Sequence, residues 1–152
     1  MRSVLADVNL WLATIVDAHP HHQAAQRWWS DELLPLESPL GGKVAFCRVT
    51  QLGLLRLLTN EAVMGKKRQS VPEAWETYRQ LLAQPPVVYL DEPPGLEAAM
   101  HELCRGRRSS KNFWTDAYLA AFARASAVPF VTFDRGFRKF SGVDVMLLTP
   151  SR

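Results

Sequence analysis

Five short apolar runs punctuate this chain, at Ser3–Val8, Lys43–Cys47, Val87–Leu90, Pro129–Phe133 and Val145–Leu148. They are too short for helices and rich in β-branched or aromatic residues, as expected of strands buried on both faces. Between most of them lie segments whose apolar residues recur at helical spacing. Leu10–Val16 gives a helical turn or two. His21–Leu34 places Ala24, Ala25, Trp28, Trp29 and Leu33 on one helical face. Leu52, Leu55 and Leu58 define an apolar helix ending near Asn60. Further helices are expected over Val71–Ala83, with Pro72 suited to a first turn, and over Glu97–Cys104 and Asn112–Ala125. The intervening Pro35, Pro39, Gly41 and Gly42, the basic Gly65–Arg68 stretch and Arg105–Lys111 read as loops. Strands alternating with helices specify an α/β fold around a mainly parallel sheet of about five strands.

The length of 152 residues fits one domain spanning 1–152. Apolar residues at 47% and charged residues at 22% exclude a wholly disordered chain. Only two cysteines occur, Cys47 and Cys104, without metal-ligand spacing, so they read as reduced thiols of a cytoplasmic protein. Asp7, Asn9 and Asp17 interrupt the apolar N-terminus, which argues against a secretory leader. No run is long enough to cross a membrane.

In an open parallel sheet, ligands collect beyond the carboxyl ends of the strands. Asp7 stands at the end of the first strand and Asp134 directly follows Pro129–Phe133. Asp116 opens the helix leading into that strand. Such a helix runs antiparallel to its strand, so Asp116 starts near the strand's carboxyl end. If the first and fourth strands are neighbours, three carboxylates meet at one edge. Taken singly each is as well explained as a cap or turn residue; Asp7, ionisable within an apolar strand, is the hardest to explain so. Clustered carboxylates raise one another's pKa, and a hard divalent cation relieves that repulsion.

The net charge is +3, from 18 Lys and Arg against 15 Asp and Glu. Its placement is more informative. Arg105, Arg107, Arg108 and Lys111 precede Asp116, while Arg135, Arg138 and Lys139 follow Asp134. This arrangement suits a polyanion drawn past an acidic site. Lys66, Lys67 and Arg68 serve equally well as a solvated loop. The five tryptophans fall on helical segments, where burial in a core or a dimer interface is the expectation. His19, His21 and His22 lack a matching carboxylate pattern and are not read as a metal site.

Four ordered segments, LADVNLWL around Asp7, VTQLGLLRLLT at Val49–Thr59, WTDAYLAAFA at Trp114–Ala123 and VTFDRGF at Val131–Phe137, resemble PIN domains, and especially the VapC toxins of bacterial toxin–antitoxin pairs in the subgroup found in mycobacteria. The resemblance implies a three-layer α/β/α sandwich and a magnesium- or manganese-dependent endoribonuclease acting on structured RNA such as tRNA or rRNA. It also implies a homodimer silenced by a cognate antitoxin, with DNA contacted only through that antitoxin. On this resemblance Asp7, Asp116 and Asp134 are catalytic metal ligands, and Asn9 and Thr132 support them. One departure is Gln51, at or near the position where many members carry a glutamate; an amide accepts a hydrogen bond but adds no charge. Two other readings remain open: an RNA- or antitoxin-binding module without efficient cleavage, and a haloacid-dehalogenase-like phosphatase using Asp7. The second normally wants another Asp two residues on, where this chain has Asn9.

Overall fold

The structure, a computed structural model, describes residues 3–34 and 42–149. Its sheet has five strands, all paired in parallel: β1 (Ser3–Ala6), β2 (Lys43–Phe46), β3 (Val87–Tyr89), β4 (Phe130–Thr132) and β5 (Val145–Leu147), in the order β3-β2-β1-β4-β5. The apolar runs are therefore strands, each trimmed by a residue or two at its ends.

Alternation along the strands builds two cores. Val4, Ala6, Val44, Phe46 and Val131 face one layer, with α1 (Val8–Ile15), α2 (His22–Trp28), α3 (Arg48–Leu58) and α5 (Val71–Leu82). There Trp11 of α1 stacks on Phe46 at 3.8 Å between ring centroids, and Tyr78 of α5 meets the same ring edge-on at 5.0 Å. Leu5, Ala45, Cys47 and Phe130 face the opposite layer, covered by α6 (Leu96–Cys104) and α7 (Phe113–Ser126). The result is the α/β/α sandwich, with small residues on α7 (Ala117, Ala120, Ala121) letting that helix lie close to the sheet.

Local chemistry explains several helix starts. Ser70 and Glu73 form a reciprocal capping box at the start of α5. Gly95, at φ +83°, gives the left-handed turn that launches α6. Two features depart from the sequence reading. The helix expected over His21–Leu34 widens after Trp28 into a π-helical turn at Trp29–Leu33, where Leu34 N–H bonds to Trp29 C=O; the wider turn brings Leu33 into the core. The stretch beyond Asn60 is not all loop. It holds the short α4 (Glu61–Met64), capped by the Asn60 side chain, and a 3₁₀ turn at Gly65–Lys67. Of the loop expected between Leu34 and β2, Pro35, Pro39 and Gly41 lie outside the described residues, and Gly42 is a turn residue at φ +79°.

Candidate active site

The strand order fixes where a ligand crevice opens. From β1 the chain winds outward through β2 to β3, then crosses back to place β4 on the other side of β1. The split between β1 and β4 is the topological switch point, and a crevice forms beyond their carboxyl ends. A cavity of about 440 Å³ lies there, and Asp7, Asp116 and Asp134 all line it, together with Asn9.

Each acid is held by a different device. Asp7 leaves β1 as the N-cap of α1, and its Oδ1 accepts from Val8 N–H at 2.8 Å. Its Oδ2 accepts from the buried Thr132 hydroxyl at 2.7 Å. That hydroxyl in turn accepts from Asp134 N–H at 2.9 Å. Thr132 thus ties the ends of β1 and β4 through one oxygen. Asp134 caps the 3₁₀ turn Arg135–Lys139, Oδ1 accepting from Gly136 N–H at 2.8 Å. Asp116 comes from the first turn of α7, on the helix face shared by Asn112, Thr115 and Leu119.

The electrostatics follow from this crowding. Burial pushes the Asp7 carboxyl above its ordinary value; the Thr132 and Val8 hydrogen bonds pull it back, and the charge of Asp134 pushes it up again. Asp116 is pushed up to about 6, first by burial and then by the charges of Asp7 and Asp134, against the opposing ammonium of Lys139. The site therefore concentrates negative charge that Lys139 offsets only in part.

Oxygen-only donors with this excess of charge suit a hard divalent ion. Among the described residues, no three His, Cys, Asp or Glu side chains are grouped so as to hold a metal ion between them; magnesium, which retains several waters, needs few direct carboxylates.

Gln51 does not join the acids. It is buried on the face of α3 that also carries Leu54 and Leu58, and its amide oxygen accepts from the Arg48 guanidinium. The cavity wall of α3 is instead Val49, Leu52, Gly53, Arg56 and Leu57. Spacing alone carries this signal, since positions 49, 52, 53 and 56 share a helical face that position 51 does not. Arg56, Asn112 and Thr115 are lining residues that the sequence reading missed.

Arg105, Arg108, Lys111 and Arg135 are exposed, and Lys111 and Arg135 each adjoin a cavity-lining residue in the chain, Asn112 and Asp134. Arg107 is exposed but engaged, donating to the Lys139 carbonyl and lying over the Phe140 ring, so it fastens the basic loop to the turn after Asp134. Trp11 and Trp28 are buried as expected, whereas Trp75 is 48% and Trp114 is 62% exposed. The histidines secure the corner between α1 and α2: His22 Nδ1 contacts Ala13 C=O at 2.6 Å with Nε2 3.5 Å from Asp17, and His21 stacks on Phe133. Cys47 and Cys104 are free thiols, and no helix among the described residues is long and apolar enough to cross a membrane.

A switch-point crevice carrying three aspartates on a five-stranded parallel sheet defines the class: the chain belongs to the PIN-domain family, whose model matches residues 4–143. Among curated relatives it is similar to Ribonuclease VapC41 of Mycobacterium tuberculosis, 39% identical over 150 residues that span 95% of this chain and 98% of that protein. Ribonuclease VapC29 of the same organism is 30% identical, covering 98% of each. Among solved structures, the fold matches VapBC2 from Rickettsia felis bound to a promoter DNA fragment, with a TM-score of 0.68 at 14% identity, covering 97% of this chain and 99% of that one. It also matches the sarcin–ricin-loop-cleaving toxin VapC20 of M. tuberculosis, with a TM-score of 0.61 at 19% identity, covering 92% and 98%.

Proposed function

We propose that this chain is a divalent-metal-dependent endoribonuclease, the toxin of a toxin–antitoxin pair, acting in the cytoplasm as a single PIN domain over residues 1–152. The observation that carries the reading is the convergence of Asp7, Asp116 and Asp134 on one cavity at the switch point, with Thr132 bridging two of them. The similarity to VapC ribonucleases supports it.

In this reading Asp7, Asp116 and Asp134 would hold magnesium or manganese. Such an ion, when bound, activates water and offsets charge on a phosphodiester. The protein's own contribution is placement. Thr132 fixes the Asp7 carboxylate relative to Asp134, and Asn9 adds a neutral polar wall. Arg105, Arg108, Lys111 and Arg135 draw the RNA backbone toward the mouth, with Arg107 holding their loop in place. Gln51 supports the start of α3 through Arg48 rather than serving the chemistry. The partners in this reading are structured RNA, a cognate antitoxin and a second copy of the chain in a homodimer, with DNA reached only through the antitoxin.

The test incubates purified protein with total tRNA and rRNA, with magnesium and with chelator, beside Asp7→Asn. Magnesium-dependent cleavage that disappears in Asp7→Asn is the expected result. Equal cutting by both proteins removes the proposed site, and metal-independent binding without cutting favours a binding module.

A further inference from the structure

Phe140 is buried against the wall of the acidic cavity. Its ring lies 6.1 Å from that of Phe137, which lines the cavity, and 6.5 Å from that of Phe113, which follows the lining Asn112 in the chain. Two cations lie on this one ring. The Lys139 ammonium is 5.2 Å and the Arg107 guanidinium 5.9 Å from its centroid. Both residues are exposed. The turn that carries Asp134 fixes their placement: Asp134 caps the 3₁₀ turn ending at Lys139, and Arg107 donates to the Lys139 carbonyl. Among the described residues, neither side chain pairs with a carboxylate. Lys139 is nonetheless near enough to Asp116 for its charge to act on that carboxyl. The two cations thus stand beside the acids without being neutralised by them. Like charges held at one ring repel, and an anion placed between them relieves that cost.

We propose that Lys139 and Arg107 form a clamp for the backbone phosphates of an RNA strand lying at the acidic cavity. The proposal rests on the ribonuclease reading and names the residues that hold its substrate. The chemistry of the pair fits phosphate. One guanidinium nitrogen is spent on the Lys139 carbonyl, which leaves the other donors of the fork for an anion, and the ammonium adds a point charge. The surroundings favour a polyanion over a protein partner. Every residue from Arg105 to Asn112 is exposed and none is acidic, and no large apolar side chain is exposed over 105–112 or 135–140. A protein interface needs an apolar centre, whereas a nucleic-acid backbone needs cations. The clamp is also ordered in advance. Phe140 steadies both cations through its ring face, and the Arg107 bond joins the basic loop to the turn after Asp134, so little freedom is lost on binding.

The experiment measures binding of a fluorescent, mixed-sequence, single-stranded oligoribonucleotide by anisotropy across a salt series, with calcium replacing magnesium and the RNA verified uncut on a gel. Wild type is compared with Lys139→Gln, Lys139→Arg, Arg107→Gln and, as a control for net charge alone, Lys66→Gln, each checked for an unchanged melting curve. Lys139→Gln and Arg107→Gln are each expected to weaken binding and to lower the slope of log K against log salt by about 0.7, the value for one phosphate contact on a single strand. Lys139→Arg is expected to preserve the slope, and Lys66→Gln to leave it unchanged. An unchanged slope in either Lys139→Gln or Arg107→Gln overturns the clamp. An equal loss in Lys66→Gln overturns it too, since the effect is then one of overall charge. If Lys139→Gln weakens self-association or antitoxin binding and spares RNA, the pair is a protein contact and the clamp is wrong. A wild type that does not bind the RNA has the same consequence. The two readings fail separately: variant-sensitive binding without magnesium-dependent cutting leaves the clamp standing and removes the nuclease, while cutting that is lost in Asp7→Asn beside binding indifferent to Lys139 and Arg107 does the reverse.

Discussion

Replacing Thr132 with valine removes one oxygen and nearly preserves shape. Thr132 is fully buried, so no water replaces the lost group. Two bonds disappear: the 2.7 Å bond donated to Asp7 Oδ2, and the 2.9 Å bond accepted from Asp134 N–H. The first is charge-assisted and contributes roughly 1.5–3 kcal/mol, the second about 0.5–1.5 kcal/mol, giving a destabilisation of about 2–4 kcal/mol at neutral pH. The pH dependence separates the two. The Thr132 bond lowers the Asp7 pKa, against burial that raises it, so its removal lifts that pKa further. Above both folded pKa values the variant carries the full cost of a buried carboxylate with one donor fewer. Below both, Asp7 is protonated in either protein and the charge-dependent part of the cost vanishes. The difference in stability between wild type and Thr132→Val is therefore expected to shrink as pH falls. Urea denaturation of both proteins at neutral and acidic pH, without metal, measures it. A difference that is below about 0.5 kcal/mol, smaller than a typical net hydrogen bond, or that does not change with pH refutes the bridging role of Thr132.

Asp116 titrates near 6 in the folded chain against an ordinary value of 3.8, so the folded state keeps its proton longer than the unfolded state. Stability without metal is accordingly expected to fall as pH rises from about 4 to about 6. Magnesium affinity is expected to move in the opposite sense, falling as pH drops through about 6, because a ligand must be deprotonated; calorimetric titrations at several pH values with a flat affinity would contradict this. Gly53 leaves no room for a side chain: a Cβ there would sit 2.8 Å from Val8 Cγ2, at the start of α1 beside Asp7. Gly53→Ala is expected to lower stability by about 1–3 kcal/mol through overpacking and to reduce cleavage with it. An unchanged melting temperature would show that α1 and α3 separate freely.

The strands were legible because buried parallel strands leave uninterrupted apolar runs, as in Val44–Phe46 and Phe130–Thr132. The meeting of Asp7 with Asp134 was legible from topology alone, given adjacent strands, and the parallel pairing of Leu5 with Phe130 supplies that condition. The three-layer form came from the family resemblance and reappears in the two separate cores. The π-helical turn after Trp28 was not legible, because one inserted residue shifts a helical face without altering its composition. Exposure of Trp75 and Trp114 was missed because helical spacing says which residues share a face, not whether another element covers it. Arg56 shares the cavity face with Val49 and Leu52 by helical spacing, but a lone basic residue on an apolar helix carries no chemical signature in sequence.

The bridge from Thr132 to Asp7 joins positions 125 residues apart. Everything that makes the acids into a site depends on that closure, and no segment before β4 can supply it. A truncated or stalled product bears Asp7, and even Asp116, on segments that have not yet met their partner strand. Long-range closure of this kind also makes the last step of folding slow relative to the local helices. For a chain of this family, the order of the strands keeps the acidic site unassembled until β4 has joined β1.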